Sequence, residues 1–134
     1  MRKIKQLSLF LDNKPGVMAK ICAVLARKKV NILGLSVTDG HDHAVVRMVV
    51  DEPRTALHCL GSAGVLVVEN DVIMLELPHR AGALGALSRK LANAKVNIEY
   101  SYSTAGAHQR TASLVLSVNN IGAALRVLKS IVKK

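Results

Sequence analysis

A shift of 66 residues lays this chain over itself: residues 11–40 set against 77–106 share ten identities in thirty positions, at Leu11, Gly16, Leu25, Ala26, Lys29, Val30, Asn31, Ile32, Thr38 and Gly40. The period is longer than that of most solenoid repeats and occurs only twice. Each copy must therefore be a small domain or half of a paired one. A chain of 134 residues has room for two such units, expected at 1–70 and 71–134.

The first copy begins with Leu7, Leu9 and Leu11 alternating with Gln6, Ser8 and Phe10, the two-residue period of a half-buried strand. After the turn NKPG, Met18, Ile21, Cys22 and Leu25 recur at helical spacing, and the second copy keeps this face as Leu84, Leu87 and Leu91. VNILGLSV reads as a second strand, DGHDHA as a turn and VVRMVV as a third strand. Pro53 opens a second helix through Leu60, Gly61 and Gly64 end it, and VLVVE is a fourth strand. The second copy repeats the order with VIMLEL, the HRAG helix, VNIEYSYS, TASLVLSV and a helix over Ile121 to Ile131. A two-residue insertion moves its late offset to 68, so the counterpart of Val65 to Glu69 falls at 133–137, and the second unit is expected to lack or truncate its last strand.

The order βαββαβ with right-handed crossovers predicts an α+β class, two ferredoxin-like units in tandem. Each is an antiparallel sheet ordered 4-1-3-2 with two helices on one face. VVRMVV and VLVV carry apolar residues on both faces, whereas a helix layer covers one. The other face must be buried against a sheet or a second subunit, which leads to the expectation of a homodimer.

Composition narrows the function classes. Only Phe10, Tyr100 and Tyr102 are aromatic, so Val, Leu, Ile and Ala must build the core. Cys22 and Cys59 lie in helical patterns without paired spacing, and are read as small buried thiols with no disulfide. Arg2, Lys3 and Lys5 precede an apolar run too short for a secretory signal, and no segment reaches membrane-spanning length; a soluble cytoplasmic protein without membrane contact is expected. The net charge of +10 is spread as 10 Lys and Arg in residues 1–66 and 9 in 67–134, the pattern of solvated faces. Nucleic-acid binding through a basic ferredoxin-like surface is the second reading. Tyr100 and Tyr102 share a strand face on which bases could stack, but the aromatic run of RNA-reading domains is missing. His41 and His43 lack further ligands at metal spacing, so neither a metal nor a cofactor is expected. No GxSxG, P-loop or HExxH motif occurs, and the chain reads as a non-enzyme.

The NKPG turn raises the sharpest question, because a glycine at a helix start costs stability relative to alanine. One answer is a ligand close to the backbone: the first helical turn has unpaired N–H groups and the positive end of the dipole, which suit a carboxylate. Asn13 has two readings, a helix cap or a ligand contact. Asn31 and Asn97 likewise read as turn residues, preceded by the helix-end cations Lys29 and Lys95, or as ligand contacts.

LDNKPGVM followed by KKVNILGLS, and again LPHRAGAL followed by AKVNIEYSY, resembles the ACT domain, a small-molecule-sensing module. The resemblance covers nearly the whole chain, which is similar to free-standing tandem ACT proteins. It implies a non-catalytic regulator that binds an amino acid or similar small effector at ACT domain interfaces, with a regulated enzyme or a transcription factor as downstream partner. The residues it points to are Asn13, Lys14, Pro15, Gly16 and Val17 with Asn31 and Ile32, and His79, Arg80, Gly82 and Ala83 with Asn97 and Ile98. It further implies that the turn of one domain meets the second strand of another, pairing Asn13 with Asn97 and His79 with Asn31. The second turn departs from the motif, with Pro78 before His79 and Ala81 in place of the proline.

Overall fold

The computed structural model describes residues 1–40, 42–104 and 110–130. Its elements are β1 (Arg2–Asp12), α1 (Val17–Arg27), β2 (Ile32–Asp39), β3 (His43–Val50), α2 (Pro53–Ser62), β4 (Leu66–Pro78), α3 (Ala83–Asn93), β5 (Ile98–Thr104), β6 (Thr111–Val118) and α4 (Ile121–Leu128). They form two compact units, Lys5–Asn70 and Asp71–Lys134, and the second also takes in Met1–Ile4.

Within Lys5–Asn70 the strand order is β2-β3-β1-β4, which is the expected 4-1-3-2. β1 and β3 run antiparallel with Leu7 opposite Met48 and Leu9 opposite Val46. These side chains meet Ile21 and Leu25 of α1 and Ala56 and Leu60 of α2 in one apolar cluster. The alternation of β1 holds on this face but not on the other: Gln6 and Ser8, expected to face water, are buried. Their polar atoms are satisfied locally, since the Gln6 amide donates to Asn70 Oδ1 at 3.2 Å and to Ser8 Oγ at 3.4 Å.

The second unit has the order β1-β4-β6-β5, in which β1 contributes its first residues. Ile73 opposite Leu116 and Leu75 opposite Leu114 set the register, and both pairs join Leu87, Leu91, Ala124 and Leu128 in the core. After α4 no strand follows among the described residues. The edge position beside β4 is taken by the start of β1, and Met1 packs against this core. Residues Met1–Ile4, grouped by sequence order with 1–70, thus sit in the second unit.

Three local expectations are corrected. VLVVE and VIMLEL are one continuous strand, because Asn70-Asp71 contains neither glycine nor proline and Asn70 is held by Gln6. Gly61 lies inside α2, and the helix closes at Gly64, whose φ is +85°. The last helix ends at Leu128; Ile131 lies outside the described residues.

The closure of α2 explains a repeated feature elsewhere. Gly64 N–H bonds to Gly61 C=O and Val65 N–H to Leu60 C=O, the paired bonds of a Schellman end. α1 makes the same bonds from Lys29 to Ala26 and Val30 to Leu25, and α3 makes them from Lys95 to Ala92 and Val96 to Leu91. There the left-handed residue is a lysine, with φ of 57° at Lys29 and 61° at Lys95. The repeated Lys-Val is therefore a helix stop whose valine returns to the core. Since a side chain in this conformation costs roughly 1 kcal/mol, Lys29→Gly and Lys95→Gly should each stabilise the chain by up to about that amount. Urea unfolding at unchanged m-value measures it, and an unchanged or lower midpoint would contradict it.

Candidate ligand-binding turns

The NKPG turn leaves β1 and leads into α1 through Gly16, which has φ +90° and is the N-cap residue of the helix. Asn13 lies three residues earlier, so the capping reading is wrong. Its Nδ2 instead donates to Asp39 Oδ1 at 2.6 Å and to the Gly40 carbonyl at 3.3 Å, while its backbone N–H donates to the Asp42 carbonyl at 3.3 Å. Asn13 therefore ties the turn to the β2–β3 hairpin. Lys14 is exposed and lies 4.0 Å from Asp12, a surface pair worth little. Val17 N–H bonds to the Lys14 carbonyl, and the first i to i−4 bond runs from Lys20 N–H to Gly16 C=O. The amides of Met18 and Ala19 fall between, and no side chain caps them. A Cβ placed on Gly16 would meet nothing within 4 Å, so open space lies beside the turn.

The second turn repeats this geometry. Gly82 has φ +90° and no side-chain cap, Ala83 N–H bonds to Arg80 C=O, and the helical bonds begin with Ala86 N–H to Gly82 C=O. The amides of Leu84 and Gly85 are the equivalent pair. His79 replaces Asn13, and its backbone N–H donates to the Arg110 carbonyl at 2.6 Å. By contrast, α4 is capped by Asn120, whose side chain accepts from Ala123 N–H at 3.1 Å. Among the described helices only α4 has a side-chain cap; α2, opened by Pro53, has none, and both glycine-led helix starts are open.

Asn31 and Asn97 are not brought to the turns of their own units. Asn31 precedes the start of β2, whereas the NKPG turn contacts its end at Asp39, eight residues on and about 26 Å away at strand spacing. Asn31 N–H donates to Asp51 Oδ1 at 2.8 Å and its carbonyl accepts from Asp51 N–H at 3.0 Å; Asn97 exchanges the same bonds with Asn119 at 2.9 and 3.2 Å. These bonds use the asparagine backbone, so they account for the turn but not for the side chain, which is exposed in both copies. Ile32 and Ile98 are half-buried against the two cores.

The second turn borders a cavity of about 150 Å³ lined by His79, Arg80, Ala83, Leu84 and Ser103, with Leu77 and Leu114 among the apolar walls. Sequence reasoning missed Ser103, Leu84 and Asp39. Their only signal was position, Asp39 and Ser103 at or next to the ends of second strands and Leu84 two residues after Gly82.

Residues 2–132 match the ACT domain pair family. The chain belongs to that family. A Bacteroides thetaiotaomicron protein of known structure, BT0572, is 32% identical over 96% of this chain and 88% of its own, with a TM-score of 0.90. The ligand-free regulatory subunit of aspartate kinase from Thermus thermophilus is 16% identical over 94% of this chain and 91% of its own, at a TM-score of 0.69. Synechocystis aspartate kinase is 20% identical over 96% of this chain but 25% of its own length, at 0.64. The last two show the fold. No curated protein sequence matched.

Other features of this ACT pair fall outside the turns. Tyr100 and Tyr102 pair with Ser117 and Val115 on β5, the edge strand of its unit rather than a central one. Among the described residues no group of three His, Cys, Asp or Glu could hold a metal, and no helix is long and apolar enough to cross a membrane. His41 and His108 lie outside the described residues. Cys59 is buried as expected but Cys22 is exposed, because it lies beside the apolar stripe of α1.

Gly82 and Gly85 separate conformation from space, since an added Cβ meets nothing within 4 Å at either. Gly82→Ala should destabilise by about 1 kcal/mol through its left-handed φ, and Gly85→Ala, inside α3, should stabilise by about 0.5–1 kcal/mol. Denaturant midpoints of the two variants should move in opposite directions.

Proposed function

We propose that this ACT domain pair is a non-catalytic regulator that senses a small carboxylate effector, an amino acid or a close relative, at its two glycine-led turns. The carrying observation is the repeated uncapped helix start: two amides with no side-chain acceptor, a positive dipole end and open space at the glycine. An amino-acid carboxylate fits such donors. Around the second turn, the Arg80 guanidinium and the Ser103 hydroxyl add polar contacts, and Leu77, Ala83 and Leu84 supply an apolar wall. In the first turn Asn13 has spent its donors on the hairpin, leaving Oδ1 free to accept from an ammonium group. Asn31 and Asn97, whose side chains the backbone bonds leave over, are proposed as further ligand contacts. The downstream partner is proposed to be an enzyme or a transcription factor whose activity follows effector binding.

A screen of the twenty amino acids by thermal shift tests this reading. An effector at a hundred times its dissociation constant stabilises the native state by about 2.7 kcal/mol, which shifts the midpoint by several degrees in a chain of this size. Ser103→Leu, which fills the second cavity from an exposed strand position, should remove the response of that site while leaving the ligand-free midpoint nearly unchanged. No shift with any amino acid or related small acid at millimolar concentration would remove the support for effector sensing.

Association of two chains is proposed on a separate observation. Val65 and Val67 pack into the core of Lys5–Asn70, so Leu66 and Val68 point to the opposite sheet face, as Phe10 does on β1. All three are substantially exposed, with Leu66 at 64%. An apolar group of this kind on a strand face suits a second copy. Light scattering should show a homodimer of the 14.4 kDa chain that Leu66→Lys with Val68→Lys dissociates; a monomer at high concentration would reject it.

A further inference from the structure

The two turns share a backbone but not a charge. In the unit Lys5–Asn70 the turn is set among acids: Asp12 lies 4.0 Å from Lys14, Asp39 accepts from the Asn13 side chain at 2.6 Å, and the Asp42 carbonyl accepts from the Asn13 N–H. In the second unit Pro78 stands at the position of Asp12. Arg110 stands at that of Asp42, since its carbonyl holds the His79 N–H in the same way. The 66-residue shift sets Ala105, outside the described residues, against Asp39. Acids around one turn are exchanged for neutral or cationic residues around the other.

The lining of the second cavity has the same sign. His79, Arg80 and Ser103 are its polar members, and among the described residues no acid borders it. Neither the Arg80 guanidinium nor the His79 imidazole has a hydrogen-bond or ion-pair partner among the described residues. The acids of this unit, Asp71, Glu76 and Glu99, are placed elsewhere. Glu76 sits between the core residues Leu75 and Leu77, so it faces the other side of β4, where it accepts from the Ser113 hydroxyl. Glu99 accepts from Ser117 Oγ at 3.1 Å near the start of β5, and Asp71 is seven residues before Pro78. Ser103, opposite Leu114, stands where the first copy has Val37 opposite Val46, so a smaller and hydroxylated side chain borders the second turn. The volume of about 150 Å³ equals roughly five waters at about 30 Å³ each, room for a four- or five-carbon acid and too little for a nucleotide.

We propose, building on the reading of these turns as effector sites, that the second turn selects a dicarboxylic amino acid and that Arg80 is the residue that reads its side-chain carboxylate. The α-carboxylate takes the amides of Leu84 and Gly85, the Ser103 hydroxyl accepts from the ammonium group, and His79 donates an N–H beside Arg80. A planar guanidinium forks onto a carboxylate, and the apolar walls strengthen that bond by excluding water. A basic effector would instead place like charges together with no acid in the lining to separate them. The first turn, with Asp12, Asp39 and Asp42, disfavours the acidic ligand, so each chain has one such site.

Titration calorimetry of the full chain with L-aspartate, L-glutamate, L-asparagine and L-glutamine tests it. One of the two acids should bind about tenfold or more tightly than its own amide, at one site per chain. Arg80→Gln should weaken that acid by roughly ten- to hundredfold, the range for a lost hydrogen bond to a charged group, and leave the affinity for the amide nearly unchanged. Arg89→Gln removes the same charge from an exposed position within α3 and should leave the binding of the acid as it was. Melting temperatures check that the variants fold; if Arg80→Gln does not, Ser103→Val, which restores the residue of the first copy, should close the cavity and remove the binding of the acid. Equal affinity for acid and amide, equal effects of Arg80→Gln and Arg89→Gln, or failure of both acids while another amino acid binds would overturn the charge selection and leave effector sensing standing. Silence of all twenty amino acids in the thermal-shift screen would overturn sensing itself, and the selection with it.

Discussion

The pairing of β1 with β4 is the constraint on which both units depend. In Lys5–Asn70, β1 is a central strand and the start of β4 closes the edge; in the second unit β4 is central and the start of β1 closes the edge. Each strand is therefore longer than one small unit needs, at 11 and 13 residues. A unit of this size has little area to bury, and an unpaired edge would leave a row of backbone donors and acceptors exposed. Gln6 and Asn70 mark where the two roles meet, with a buried amide satisfied by its cross-strand neighbour.

On this frame the repeated motifs separate into two kinds. Lys-Val is architectural: lysine takes the left-handed position of a helix stop and valine joins the core. Glycine at the helix start is conformational as well, for φ +90° accounts for it without a ligand. Because glycine has no side chain, that conformation also leaves both helix starts without a side-chain cap, unlike α4 with Asn120; what it does not explain is the open space beside each glycine. The same holds for Asn31 and Asn97, whose backbone bonds leave the side-chain amides unexplained.

The two turns are alike in backbone and unlike in chemistry. Asn13 is bound to the hairpin through its side chain, whereas His79 is bound through its backbone, which leaves the imidazole at the cavity beside Arg80 and Ser103. Under the proposed function, a duplicated scaffold with diverged linings would hold two sites of different affinity in one chain.

Much was legible in the sequence because the governing interactions are local or periodic. Strand alternation, the helical stripe of Ile21 and Leu25, the turn signals and the 66-residue offset determined the element order, the antiparallel sheet and the ACT motif. Tertiary structure alone decided what depended on distant partners. Burial of Gln6, the fusion of two expected strands across Asn70-Asp71 and the role of Asn13 at Asp39 each rest on a residue far away in the chain. Periodicity reports which side of its own element a residue occupies, and only folding determines what lies across from it.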